Sequence, residues 1–173
     1  PLKNLERPTI VFLKDSVVGN QRFLKIRISP NRKVNRYDIF ADEKMAIYNL
    51  KANHVKSISQ NEALYKRTSK RVLSYYVVNN ELLELEFSIN SKSVFNMDLM
   101  ESSFDLMNNP LFTMVKRNSR MMPTPFVLND AVVIQQKIKP SAQKLTPKTS
   151  TAFPTFDVKK DSVSKSTDTI KSF

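Results

Sequence analysis

The stretch from Arg71 to Ile89 restricts this chain more than any other. Val72 to Val78 is a run of β-branched and aromatic residues. Glu81 to Ile89 alternates strictly, with Leu83, Leu85, Phe87 and Ile89 on one side and Leu82, Glu84, Glu86 and Ser88 on the other. That period of two marks a strand with one face in a core and one face in water. Asn79-Asn80 separates the two runs, and Asn tolerates the positive φ of a two-residue hairpin turn. The expected arrangement is a hairpin with Val72, Ser74 and Tyr76 opposite Phe87, Leu85 and Leu83. An isolated hairpin is marginal, so further strands must cover its apolar face.

The rest of the chain supplies them. Thr9–Leu13 is a short apolar run, and Asp15 to Asn20, holding the only glycine, reads as a turn. Arg22 to Ser29 alternates Leu24, Ile26 and Ile28 with Phe23, Lys25 and Arg27, and Pro30 ends it. Tyr37 to Ala41, Met45 to Leu50 and a short piece around Val55 to Ile58 are further strands. Ser93 to Met100 alternates Phe95, Met97 and Leu99 with Asn96 and Asp98. Met97, Met100, Phe104 and Met107 also fit a helical spacing, so a strand running into a helical turn at Glu101 to Met107 is expected. Ala131 to Lys139 closes the set, with Val132, Ile134 and Ile138 on one side. The predicted fold is all-β, a β-sandwich of about eight to nine short antiparallel strands. A closed barrel is the alternative.

Three regions follow: residues 1–8 as a lead-in, 9–139 as the sandwich, and 140–173 as a tail. The tail is rich in Ser, Thr, Lys and Pro with few aliphatics, and such a composition cannot offset its ordering entropy, so a flexible tail is expected. Phe153, Phe156 and Phe173 are its candidates for local docking. With 173 residues, 40% of them hydrophobic, the chain can bury a sizeable core. No run approaches the roughly 18–20 apolar residues of a membrane helix, and no signal peptide is visible. The chain begins at Pro1 without Met, which reads as a piece of a longer polypeptide or a processed form.

Composition also prunes chemistry. There is no Cys, which excludes disulfides and thiolate metal sites and leaves the compartment open. The single glycine excludes glycine-rich phosphate loops. His54 is the one imidazole, and its polar surroundings fit a surface residue. Glu84 and Glu86 share the face expected to be wet, and Asp98, Glu101 and Asp105 are too loosely spaced, and lack the glycine, for a calcium loop. No residue is assigned a catalytic, cofactor-binding or metal-ligating role. The formal charge of +12 fits an anionic partner or, more ordinarily, a solvated basic surface. Three basic groups recur: Arg32, Lys33 and Arg36; Lys66, Arg67, Lys70 and Arg71; Lys116, Arg117 and Arg120. Aromatic interleaving is weak and no nucleic-acid motif is present. The candidate partner-contact residues lie in the proline-punctuated connection from Leu111 to Phe126. They are Met121, Met122, Pro123, Pro125 and Phe126, with Arg117 and Arg120 beside them. The alternative is that these side chains cap the core.

Two stretches carry a resemblance. One is Ile28-Ser29-Pro30-Asn31-Arg32-Lys33-Val34-Asn35-Arg36-Tyr37. The other is Asn108-Asn109-Pro110-Leu111-Phe112 followed by Met121-Met122-Pro123-Thr124-Pro125-Phe126-Val127-Leu128-Asn129-Asp130-Ala131. Together they resemble the C-terminal extracytoplasmic domain of bacterial membrane-bound zinc metallopeptidases of the aminopeptidase-like family, which is related to vacuolar and endoplasmic-reticulum membrane proteases. The similarity spans about Arg7 to Lys139. It implies a β-rich, non-catalytic accessory domain that follows membrane helices. Such a domain packs on the parent's catalytic domain or on the membrane surface, on the periplasmic or cell-envelope side. Zinc is then expected only in that catalytic domain, whose two-metal site of His and carboxylates cannot be built from His54 alone. The rival reading is a stand-alone β-rich binding module for an anionic polymer, nucleic acid or anionic glycan, held by the basic groups.

Overall fold

A computed structural model describes residues 4–56, 63–122 and 130–140. They form nine strands: β1 (Thr9–Val18), β2 (Gln21–Ser29), β3 (Arg36–Ala41), β4 (Ile47–Ala52), β5 (Val55–Lys56), β6 (Arg71–Tyr76), β7 (Leu83–Asn90), β8 (Met97–Ser103) and β9 (Val132–Ile138). One sheet has the order β1-β2-β7-β4-β5 and the other β6-β3-β8-β9, with every pairing antiparallel. This is the expected all-β sandwich, built of two open sheets rather than a closed barrel. The tail expected beyond residue 140 lies outside the described residues.

Alternation builds the core. Leu24, Ile26 and Ile28 of β2 face the same interior as Leu83, Leu85, Phe87 and Ile89 of β7, and all seven are buried. Register locks the two strands, with Ile26 opposite Leu85 and Ile28 opposite Leu83. A slip of one residue would turn all of them toward solvent. The second sheet answers with Tyr37, Ile39, Met97, Leu99 and Ile138.

The central hairpin does not form. β6 pairs with β3 and β7 lies between β2 and β4, so the connection crosses from one sheet to the other. The turn chemistry itself is as expected: Asn79 has φ 51° and Asn80 φ 58°, and the Glu81 N–H donates to the Val78 carbonyl at 3.1 Å. Just before the turn, however, the Val77 N–H donates to the Asn35 carbonyl at 2.9 Å, away from β7. A strand as apolar as β7 buries more surface with a neighbour on each edge than at the end of a hairpin. The expected face of β6 is also shifted. A register irregularity opposite Ile39/Phe40 keeps Val72 inward but turns Leu73 and Tyr75 toward the core, sends Ser74 to the outer face beside Asp38, and leaves Tyr76 exposed.

Four smaller expectations also change. β1 runs on to Val18, so the turn is only Gly19-Asn20; positive φ at its first position (57° at Gly19) suits a two-residue hairpin loop. β4 begins at Ile47 rather than Met45 and carries a bulge, with Asn49 at φ 53°. Ile47 and Leu50 therefore both point inward although three residues apart. β8 continues through Glu101 to Ser103, and no helical turn replaces it. The face of β7 expected to be wet is partly covered: Glu84 is buried beneath Lys25 and Arg27 of β2, and Ser88 is buried with its hydroxyl donating to Gln21 Oε1, while Glu86 stays part-exposed.

Candidate functional site

The first stretch that carries the resemblance lies at the end of the sandwich where the connection holding the second begins and returns. The loop from Asn31 to Asn35 joins β2 to β3 there, and the long connection between β8 and β9 leaves from the same end. Arg32 is the hub. Its guanidinium pairs with Glu101 at 2.6 Å, donates to Ser103 Oγ, and reaches the Val132 carbonyl at 3.5 Å. Ser103 Oγ donates to Asp105 at 2.6 Å, and Asn109 Nδ2 donates to the other Asp105 oxygen at 3.0 Å. Asn35 adds a second tie: its side-chain oxygen accepts the Phe104 N–H at 2.8 Å, and its own N–H donates to the Ser102 carbonyl at 2.9 Å. Val34 N–H donates to Asn80 Oδ1 at 3.0 Å, which docks the inter-sheet turn on the same loop.

Local electrostatics follow from burial. Glu101 sits opposite Tyr37 on the inner face and has no exposed surface. Burial raises its pKa, and Arg32 opposes that rise. Burial also raises the Tyr37 phenol, and the Glu101 charge adds to it. For Asp105, burial favours the neutral form, but hydrogen bonds from Ser103 and Asn109 outweigh it and hold the pKa below the usual range.

From this base the connection runs outward. Leu106 N–H donates to the Asp130 carbonyl at 3.0 Å, and Arg117 pairs with the Asp130 carboxylate. Beyond that pair, Met121 and Met122 are 65% and 89% exposed, and Val115 is 92% exposed. Arg120 is exposed, and its N–H donates to Asn118 Oδ1 at 2.9 Å. Met121 and Met122 therefore project from the body rather than cap the core. Arg117 is tied to the base, and Pro123, Pro125 and Phe126 lie outside the described residues.

The remaining candidates are dispersed. His54 is 74% exposed, 3.9 Å from each of the Glu84 and Glu86 carboxylates. Glu84 takes Arg27 at 2.6 Å and Lys25 at 3.0 Å, and these hydrogen bonds lower its pKa. Asp98 faces outward and pairs with Lys137 at 2.9 Å, while Glu101 faces inward, so the two do not converge. Among the described residues, no group of three or more His, Asp or Glu is arranged to hold a metal ion. Several basic residues have internal duties. Arg36 pairs with Asp38 at 2.7 Å, and Arg67 donates to the carbonyls of Ala41, Asp42 and Met45. With Arg32 on Glu101, each of the first two basic groups spends a guanidinium on the fold.

The Arg32–Glu101 pair was not anticipated. A signal existed: continuing the alternation of Met97 and Leu99 by two residues puts Glu101 on the inner face, where a carboxylate demands a cation. Family models, curated proteins and solved structures return no match to the chain.

Proposed function

We propose that this chain is a non-catalytic accessory domain of a membrane-bound zinc peptidase of the aminopeptidase-like kind, and that the β8–β9 connection is its contact face. The reading rests on one observation. Arg32 and Asn35, from the first stretch that carries the resemblance, hold the base of the connection that contains the second. Two segments far apart in sequence thereby serve one feature, a buried polar anchor from which an exposed apolar and basic segment projects. Val115, Met121 and Met122, exposed at either end of a basic stretch, are the side chains this connection offers to a partner. In this reading the domain sits on the extracytoplasmic side, tethered through its parent, and zinc belongs to the catalytic domain.

The test is the reading frame upstream of Pro1 in the source genome. Membrane helices preceded by a domain with zinc-ligating His and carboxylate motifs are expected. An upstream frame that encodes neither overturns the proposal.

A further inference from the structure

We infer that the segment from Leu111 to Met122 is a lipid-contacting loop that seats on an anionic bilayer surface. The inference rests on the accessory-domain reading only for the choice of contact face. Its physical ground is the loop itself. Val115 and Met122 are 92% and 89% exposed, Met121 65% and Met114 46%. The cations sit between the apolar tips: Val115 adjoins Lys116 and Met121 adjoins Arg120. From Leu106 to Asn129 the chain has three basic residues and no acidic one. One of the three, Arg117, is neutralised by Asp130. No carboxylate among the described residues pairs with Lys116 or Arg120, so their charge faces outward.

This arrangement fits a bilayer better than a folded partner. A protein interface of ordinary size needs about 800 Å² of complementary surface on each side. Here two exposed apolar pairs, Met114-Val115 and Met121-Met122, flank the basic stretch from Lys116 to Arg120, with no continuous apolar face. A bilayer surface accepts that pattern directly: the tips enter the headgroup region while the cations meet lipid phosphates. Unbranched Met side chains adapt to such a disordered boundary. An anionic nucleic acid would use the cations but has no use for exposed Val and Met tips.

The experiment uses the whole chain and vesicles of phosphatidylcholine, with and without phosphatidylglycerol. Co-sedimentation is expected with the anionic vesicles, weakening as salt rises, and not with phosphatidylcholine alone. Lys116→Gln and Arg120→Gln should each lower partitioning by roughly fivefold. Val115→Asp with Met122→Asp should lower it by at least about tenfold, since apolar transfer and charge both oppose entry. All four side chains are exposed, so circular dichroism and melting should be unchanged. The chain has no Trp, so Val115→Trp provides a single reporter whose emission should shift to the blue on anionic vesicles. Absence of vesicle binding, undiminished binding by the double Asp variant, or an unshifted indole each overturns the inference. An equal indole shift with duplex DNA overturns it as well. None of these results bears on the upstream reading frame, so the two proposals fail separately.

Discussion

Removing Arg32 should destabilise the domain severely, because it strands a carboxylate inside the sandwich. Glu101 has no exposed surface, the Arg32 side chain is 12% exposed, and the pair sits at 2.6 Å. Breaking a buried pair from one side costs about 3–5 kcal/mol, since the remaining charge has lost its counter-ion. Arg32→Met keeps much of the aliphatic stem and removes only the guanidinium. For a domain of this size that loss should lower the melting temperature by roughly 10–20 °C. Glu101→Gln removes the partner, and the double variant should recover a large part of the loss, because a neutral pair leaves no stranded charge. Urea melts followed by far-ultraviolet circular dichroism supply the four corners of a double-mutant cycle. The pH dependence adds a second constraint. The folded-state pKa of Glu101 is raised, so the folded form binds more protons than the unfolded one just above the normal carboxylate pKa. Its contribution to stability is therefore fullest below that unfolded pKa and declines as pH rises through the folded value. Without Arg32 that rise in pKa should grow, and the Arg32→Met penalty should shrink on acidification toward about pH 4. Additive single-variant losses, or an Arg32→Met penalty below about 1 kcal/mol at neutral pH, would refute this account.

Other outcomes follow from the same structure. Leu85→Ala should cost about 2–5 kcal/mol in urea melts, because Leu85 is fully buried, whereas Val94→Ala at an 83% exposed site should change stability by less than about 0.5 kcal/mol. Gly19→Ala should cost about 1 kcal/mol: a Cβ there meets no atom within 4 Å, so the loss comes from φ +57 alone and a thermal melt should show it without any change in fold. Glu84 and Asp105 have lowered pKa values, so their contribution is present above the unfolded carboxylate pKa and is lost as pH falls through the folded values; in Glu84→Gln the acid limb of a stability-against-pH curve should be shallower. The purified chain should show no zinc-dependent aminopeptidase turnover, and activity that disappears in His54→Ala would contradict the accessory-domain reading.

The inner faces of β2, β7 and β9 were legible in the sequence because a period of two needs only local reading. Leu24, Ile26 and Ile28 declare their side of a sheet whatever their neighbours are. Partner choice was not legible, because Asn79-Asn80 adopts the same positive φ in a hairpin as in a crossover between sheets. What separates the two is whether β2 and β4 compete for the edges of β7, a fact of the whole fold. Bulges erased the pattern at Asn49 and near Val72, where one extra residue flips the alternation. At the site, Met121 and Met122 were recognisable because they lie among prolines and cations. The pairing of Arg117 with Asp130 depends on how the connection returns to β9, with Asp130 at φ 55°, and nothing in the local sequence records that return.

The geometry also separates the roles of the two ends of the connection. Ser103 and Val132 pair directly at the end of β8 and β9, and Arg32 donates to both, to the Ser103 hydroxyl and the Val132 carbonyl. One largely covered side chain thus clamps the point where the connection leaves the sandwich and the point where it returns. Closing a loop costs entropy that grows only slowly with its length, so once its ends are clamped, its reach and tip composition can vary with little effect on the core. Variants at the base, such as Arg32→Met, should therefore lose stability and, through it, any contact made by the tip. Variants at the tip, such as Val115→Asp with Met122→Asp, should lose the contact while melting normally. A tip variant that melts as early as the base variant would show that the connection packs into the body of the sandwich, and the division between anchor and contact surface would fall with it.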